Sequence, residues 1–358
     1  MEAEGKRCTV SATDLELSII TNFDAKIENE GAITIPAKAI LNFAQYLNDP
    51  DVLLETSEGT QLKCTSKHAR TLIAGEAASE YPTISTVEKH DAFTLDATPL
   101  LSALNVVTFA SARSSLRPVL SGVYVRSERG KLILVATDSY RLSEYAIPTK
   151  GAEGDVTCII PTKVLEELKT VLSGRKPEKE EEKDKEDKKG KKEKAAQAKS
   201  SPVNVTLSKQ QIELEVGRTR LLSRLIDGKF PDYQQIIPKE TVTTVSLSTK
   251  ELLTTVRRMH YFAKEINNNL TFHFTKGQVR ITTPQTQVGR DEATLPCDVK
   301  GSENKIALSS SYLLDFLSHM ESQELELKMT DSQHPAVFTL PAEPNFLHLI
   351  MPLRMQEE

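Results

Sequence analysis

Three aspartates could do chemistry on residue type alone. Asp14, Asp138 and Asp232 would make a carboxylate set for Mg²⁺-dependent phosphodiester hydrolysis. Asp14 and Asp138, however, stand in matching phrases, Thr13-Asp14 and Thr137-Asp138. An Asp recurring in both copies of a repeat fits a turn better, its side chain bonding nearby backbone N–H groups. His68, His90, His260, His273, His319, His334 and His348 never fall at metal-ligand spacing. Cys8, Cys64, Cys158 and Cys297 are scattered singly, which suits a reducing compartment and argues against a disulfide framework or a structural zinc site. Ser173-Gly174-Arg175-Lys176 lacks the spacing of a phosphate-binding loop. Neither Gly-x-Ser-x-Gly nor His-Glu-x-x-His occurs. The expectation is a non-catalytic chain with no metal and no cofactor.

The elements that would carry these residues repeat. Ile33-Thr34-Ile35-Pro36-Ala37-Lys38 returns as Cys158-Ile159-Ile160-Pro161-Thr162-Lys163 and as Ile306-Ala307-Leu308-Ser309-Ser310-Ser311. Each copy is a β-prone run, a Pro or capping residue, then an amphipathic helix. Phe93-Thr94-Leu95 before Leu100-Leu101 matches Val245-Ser246-Leu247 before Leu252-Leu253. Three modules follow: 1–90, 91–241 and 242–358. In the later two, the second phrase precedes the first by roughly sixty residues, half a small domain. Ile33 leaves no room for that in the first module. The spacing therefore predicts one strand and one helix, about thirty residues on the same scale, upstream of Met1. A late gene start is the expected reason, ahead of a genuine variant, and a chain extended upstream is expected to be more stable.

Alternation predicts strands over Ala12–Ile19, Val203–Leu207 and Gln211–Val216, and a hairpin from Leu270–Phe274 to Val279–Thr282 through Lys276-Gly277. Helices are expected over 36–48, 98–110, 161–173, 249–263 and 309–320. Few helices on one face of largely antiparallel sheets make an α+β class. The formal net charge is −5 over 358 residues, which speaks against coating nucleic acid through a basic surface. Residues 175–202 are nearly all Lys, Glu, Asp, Ala and Gly, too polar to bury a core, and read as an insertion in a solvated loop. Lys38, Lys163, Lys250, Arg257 and Arg258 put a recurrent positive bias on the helices. No run is long and apolar enough to span a bilayer, and the acidic start is unlike a signal peptide, so a cytoplasmic setting without membrane partners is expected. A single-stranded nucleic-acid binder would need aromatic platforms, and the chain has 5% aromatics and no Trp.

Four phrases are distinctive: Leu116-Arg117-Pro118-Val119-Leu120-Ser121-Gly122, Ala136-Thr137-Asp138-Ser139-Tyr140-Arg141-Leu142-Ser143, Ser223-Arg224 through Phe230-Pro231-Asp232-Tyr233, and Leu349-Ile350-Met351-Pro352-Leu353-Arg354. In this order, on a threefold repeat, they resemble the bacterial sliding clamps, the β subunits of DNA polymerase III. The resemblance implies three clamp modules per chain and a head-to-tail homodimer. Antiparallel sheets would lie outside, with helices lining a central hole around double-stranded DNA. Held by topology, such a ring needs few phosphate contacts. Lys38, Arg113, Lys163, Lys250, Arg257 and Arg258 would face the DNA. The resemblance also implies a hydrophobic groove for partner peptides from the replicative polymerase α-type subunit, the clamp loader and repair proteins. Carried over position by position, it comprises Arg117, Leu120, Thr137, Ser139, Tyr140, Arg141, Leu142, Pro231, Leu349, Met351, Pro352, Leu353 and Arg354. The leucines and Met351 would form the cleft, with Arg117, Arg141 and Arg354 at its rim. Ser139-Tyr140 replaces the family's usual Gly-His, and Gln234-Gln235 stands where a basic residue is common. Leu72 and Ile73, opposite Tyr261 and Phe262 of the other protomer, would close the ring.

Overall fold

The computed structural model describes residues 1–57, 60–84, 87–88, 91–113, 116–149, 156–174 and 202–355. The charged insertion expected over 175–202 lies, but for Pro202, outside them. The first stretch of chain contains β1 (Glu2–Glu4), β2 (Arg7–Thr13), β3 (Leu17–Asp24), β4 (Gly31–Thr34), α1 (Ala37–Gln45), β5 (Leu53–Ser57), β6 (Gln61–Thr65), β7 (Arg70–Ala74) and β8 (Glu76–Ala77). Next come β9 (Asp91–Asp96), α2 (Ala97–Val107), β10 (Gly122–Glu128), β11 (Lys131–Thr137), β12 (Arg141–Pro148), β13 (Thr157–Pro161), α3 (Thr162–Ser173), β14 (Pro202–Leu207), β15 (Gln211–Val216) and β16 (Thr219–Arg224). The last stretch repeats that order with one strand more between its helices: β17 (Thr243–Ser248), α4 (Thr249–Ala263), β18 (Asn269–Thr275), β19 (Gln278–Thr282), β20 (Glu292–Pro296), β21 (Asp298–Gly301), β22 (Asn304–Ser309), α5 (Ser310–Ser318), β23 (Glu324–Met329), β24 (Ala336–Leu340) and β25 (Glu343–Ile350).

These elements form two compact units, Met1–Asp96 with Gly174–Arg224, and Ala97–Ser173 with Leu225–Glu358. The first holds a nine-stranded sheet in the order β8-β4-β1-β2-β3-β16-β15-β14-β9 and a small sheet β5-β6-β7. The second holds a nine-stranded sheet β13-β10-β11-β12-β25-β24-β23-β17-β21 and a sheet β20-β19-β18-β22. Each large sheet is two repeat halves joined at one antiparallel seam. In the first, β3 pairs with β16, Leu17 opposite Ser223. In the second, β12 pairs with β25, Arg141 opposite Ile350.

Period-2 alternation is literal in β15, where Ile212, Leu214 and Val216 are buried and the intervening Gln and Glu residues are not. Ala12–Ile19 is not one strand as its alternation suggested. The chain leaves β2 at Thr13 and re-enters the sheet at Leu17, because Asp14 makes a turn there. Helix α4 follows its sequence pattern closely. Ser248 caps it by accepting from the Glu251 N–H at 3.4 Å, and Leu252, Val256, Met259 and Ala263 form its buried stripe. The core of the second unit centres on Phe272, Phe274, Phe316 and Phe338, all fully buried; each contributes about 2–3 kcal/mol by burial. Gly122 opens β10 where a Cβ would lie 2.6 Å from Ile159 Cγ2 and 2.8 Å from the Ile160 carbonyl, so no larger residue fits against β13.

Candidate functional site

Thr137 and Asp138 build the turn between β11 and β12. The Thr137 hydroxyl donates to the Arg141 carbonyl at 2.6 Å and accepts from the Ser139 N–H at 3.1 Å. Asp138 Oδ1 accepts from the Tyr140 and Arg141 N–H groups at 2.9 and 3.1 Å. Ser139 is thereby held at φ 81°, the left-handed region where Gly costs least. Thr13 and Asp14 make the same four bonds between β2 and β3, with Leu15 at φ 74°. Both aspartates therefore serve turns, as their paired phrases suggested, and they lie in different units.

Arg141 is not at a rim. It is 6% exposed, with Nε on Asp138 Oδ2 at 3.0 Å, Nη1 on Asp315 Oδ2 at 2.5 Å and Nη2 on the Phe109 carbonyl at 2.8 Å. Its guanidinium also lies over the rings of Phe109 and Tyr312. A planar fork with three acceptors is the arrangement Arg fills and Lys cannot. Burial raises the Tyr312 phenol pKa, with the charge of Asp138 adding to it. Beside this cluster lies a cleft of about 770 Å³ bordered by Arg113, Tyr140, Tyr312 and Leu314.

Leu120, Leu142 and Leu349 are buried in one apolar cluster with Ile133, Val135, Ile159, Phe230, Tyr233 and Val337. Half-buried Val119, Ile226, Ile237, Leu347 and Met351 pack on it. Leu120, Leu142 and Leu349 thus form the base, while Met351 and Val119 are its accessible layer and Leu353 lies outside the cluster. Leu142 and Leu349 are directly opposite one another across the seam. The tail is pinned beyond β25: the Met351 N–H donates to the Tyr140 carbonyl at 2.8 Å, the Leu353 N–H to the Ala307 carbonyl at 2.8 Å, and Asn269 Nδ2 to the Arg354 carbonyl at 3.1 Å. Pro352 and Leu353 are half-buried, and Arg117, Ser139, Tyr140, Pro231 and Arg354 are exposed. Tyr233 bonds Glu144 at 2.5 Å, and its phenol is pushed far up by burial and then by that carboxylate. Phe109, Asp315 and Tyr312 were missed in the sequence. Only the placement of Tyr312 and Asp315 on the helix of the third repeat phrase hinted at them.

Lys38, Arg113, Lys163, Lys250, Arg257 and Arg258 are all exposed. Arg258 is held by Asp291 through two bonds of 2.9 and 3.2 Å, so less of its charge is available than that of Lys250 or Arg257. Leu72 is 58% and Tyr261 57% exposed. Phe262 is half-buried against Tyr261, edge to face. Ile73 instead belongs to the core of its own unit, 5% exposed with Ile33, Leu62 and Cys64, because alternation in β7 turns it away from Leu72. Among the described residues β7 and β20 are end strands, each hydrogen-bonded on one side only.

Three family models match in succession: the DNA polymerase III β subunit N-terminal domain over residues 1–85, its central domain over 94–179 and its C-terminal domain over 234–354. A β sliding clamp of Synechocystis sp. is 26% identical over 374 residues, covering 99% of this chain and 90% of the relative. That of Caulobacter vibrioides is 26% identical over 362 residues, covering 99% and 91%. Among solved structures, a sliding clamp of Bartonella birtlesii bound to griselimycin is 26% identical with a TM-score of 0.86, covering 99% of this chain and 90% of that one. The DNA polymerase III β subunit of Thermotoga maritima is 23% identical with a TM-score of 0.87, at the same coverage.

Proposed function

This chain belongs to the bacterial sliding-clamp family, the β subunits of DNA polymerase III, and on that premise we propose that two copies close head to tail around double-stranded DNA. As a member of that family the chain is a non-catalytic processivity factor, with DNA and DNA polymerase III as its partners. The observation that carries the ring is the seam rule. Two repeat halves join through β3 with β16 and two through β12 with β25, leaving the sheets ending in β7 and β20 with open edges. Pairing β7 of one copy with β20 of the next applies the rule a third time, and two such contacts make a closed assembly. Leu72, Tyr261 and Phe262 would be the apolar contacts at that seam, with Ile73 supporting β7 from beneath. The clamp modules are those of 1–90, 91–241 and 242–358.

Lys38, Arg113, Lys163, Lys250, Arg257 and Arg258 then face the duplex, giving a weak positive lining in a chain of net charge −5. That balance supports sliding, since each added phosphate contact strengthens salt-dependent binding. The apolar cluster under Val119 and Met351 receives hydrophobic peptides from the polymerase α-type subunit, the clamp loader and repair proteins. Arg117 and Arg354 remain exposed to meet their acidic flanks. Replication places the protein in the cytoplasm, and among the described residues no helix is long and apolar enough to cross a membrane.

The experiment is retention on DNA after loading. A topological ring stays on nicked circular DNA and is lost when one cut makes it linear. Equal retention on both forms would mean that the chain binds by contact, as a single-stranded nucleic-acid binder or an Mg²⁺-dependent nuclease does, and would sink the ring.

A further inference from the structure

The two seams share a frame and differ in lining. At both, a Thr-Asp turn with the same four hydrogen bonds sits at the end of the paired strands. Near both, the chain passes through an aromatic-Pro pair, Tyr81-Pro82 in the first unit and Phe230-Pro231 in the second. Aligning the registers, Leu17 with Arg141, puts Leu222 in the place of Leu349, Ser18 in that of Leu142 and Arg224 in that of Met351. The first unit thus carries a more polar version of the apolar site, with a guanidinium where the other has a methionine.

That version is open. A cleft of about 150 Å³ lies there, with Leu15, Ile84 and Leu222 among its walls and Glu16, Gln211 and Arg224 as its longer polar side chains. This volume takes a group the size of a benzene ring, which means one large side chain and not a run of them. Leu15 is 74% exposed and held in a left-handed turn that a leucine rarely adopts, so its presentation at the mouth is enforced by the turn. Arg224 is exposed and makes no ion pair among the described residues, leaving its planar fork to receive a carboxylate.

We infer that this cleft is a second docking site, for an extended peptide that sets one leucine-sized side chain against Leu15, Ile84 and Leu222 and an adjacent carboxylate on Arg224. The inference goes beyond the docking reading above and borrows only its frame. Selectivity follows from the exchanges in the lining. A peptide with several large apolar side chains fits the Met351 site, where Leu142 and Leu349 underlie it. One with a single apolar residue and an acid fits here.

The full chain, labelled at Ile, Leu and Met methyls, is titrated with the peptide Ser-Gly-Ser-Leu-Asp-Ser-Gly-Ser and followed by NMR. The Leu15, Ile84 and Leu222 methyls should shift together and approach saturation at about 1 mM peptide, the range of a weak single-residue anchor. Arg224→Glu should weaken this about tenfold, the effect of losing one charge-assisted contact. Leu15→Asn should do likewise, and Asn tolerates the left-handed backbone. Unmoved Ile306 and Leu313 methyls in each variant certify the fold. No shift at the three cleft methyls, or undiminished affinity in Arg224→Glu, overturns the proposal. So does a shift produced by concentrating the protein without peptide, which would make a second copy of the chain the occupant. The Leu142, Leu349 and Met351 methyls report the other seam in the same spectra, so the two readings fail separately.

Discussion

At the scale of single residues, Arg141 and His348 show how the second seam combines polar groups with burial. Arg141 satisfies two carboxylates and a carbonyl with one guanidinium. Removing it leaves Asp138 and Asp315 facing each other's charge without a cation. Arg141→Ala should therefore cost about 3 kcal/mol of stability, read as a lower urea midpoint, and Arg141→Lys should recover only part of it. Arg117→Ala, at an exposed position, should lower the midpoint less than Arg141→Ala does and weaken peptide binding. An unchanged midpoint in Arg141→Ala would return that residue to the rim. His348 is fully buried, stacked on Phe316, with Nδ1 2.7 Å from the Ser143 hydroxyl. Burial, and then the charges of Arg141 and His319, hold its pKa well below 6.5. The unfolded chain therefore binds this proton more readily than the folded one. Stability present above pH 6.5 drains away as pH falls below it towards the folded value. Urea midpoints taken from pH 7.5 to 5.5 should fall more steeply for the native chain than for His348→Phe, and parallel slopes would discard His348 as the titrating group.

At the scale of elements, α4 is where charge and packing separate cleanly. Its buried stripe is untouched by Lys250 and Arg257, so Lys250→Glu with Arg257→Glu should leave thermal stability intact while making DNA retention shorter-lived and less sensitive to salt. Arg258→Glu should have a smaller effect on retention, since Asp291 already engages that side chain. If all three changes act alike, the exposed face of α4 is not what DNA meets. This helix was legible in the sequence from end to end, because Ser248, Glu251 and a regular apolar stripe are local signals. The turn at Asp14 was half legible. Its Thr-Asp phrase marked a turn, yet the alternation of Ala12–Ile19 masked the break, since Leu15 and Leu17 keep a strand-like period while the backbone reverses. Arg141 could not be placed from its neighbours, because Asp315 and Phe109 are brought to it by elements 174 and 32 residues away. The leucines of the apolar cluster were found through the family phrases. Their depth was not, for Leu142 and Leu349 owe their burial to strand pairing across the seam, and Leu120 is packed against them from the short turn Pro118–Ser121.

At the scale of the whole molecule, the open edges of β7 and β20 are the expected weak point of the proposed head-to-tail dimer. Leu72→Glu together with Tyr261→Glu should convert a dimer to a monomer by light scattering while leaving the fold intact by circular dichroism. A dimer that survives both changes would place the contact elsewhere. The two internal seams have a different consequence, which concerns the order in which the chain is made. The first unit joins Met1–Asp96 to Gly174–Arg224, so β3, paired on one side with β2, keeps its other edge open, and β9 has no partner at all, until β14, β15 and β16 have been synthesised. At the usual pace of a ribosome, roughly 5–20 residues per second, that wait is on the order of ten seconds or more. For that time the nascent chain carries an unpaired Leu17–Asp24 edge beside an apolar face. The charged residues of 175–202, in which Lys alternates with Glu and Asp, lengthen the delay and also emerge just before the strands that end it, a highly charged run placed where a half-built sheet is most exposed to its neighbours on the polysome.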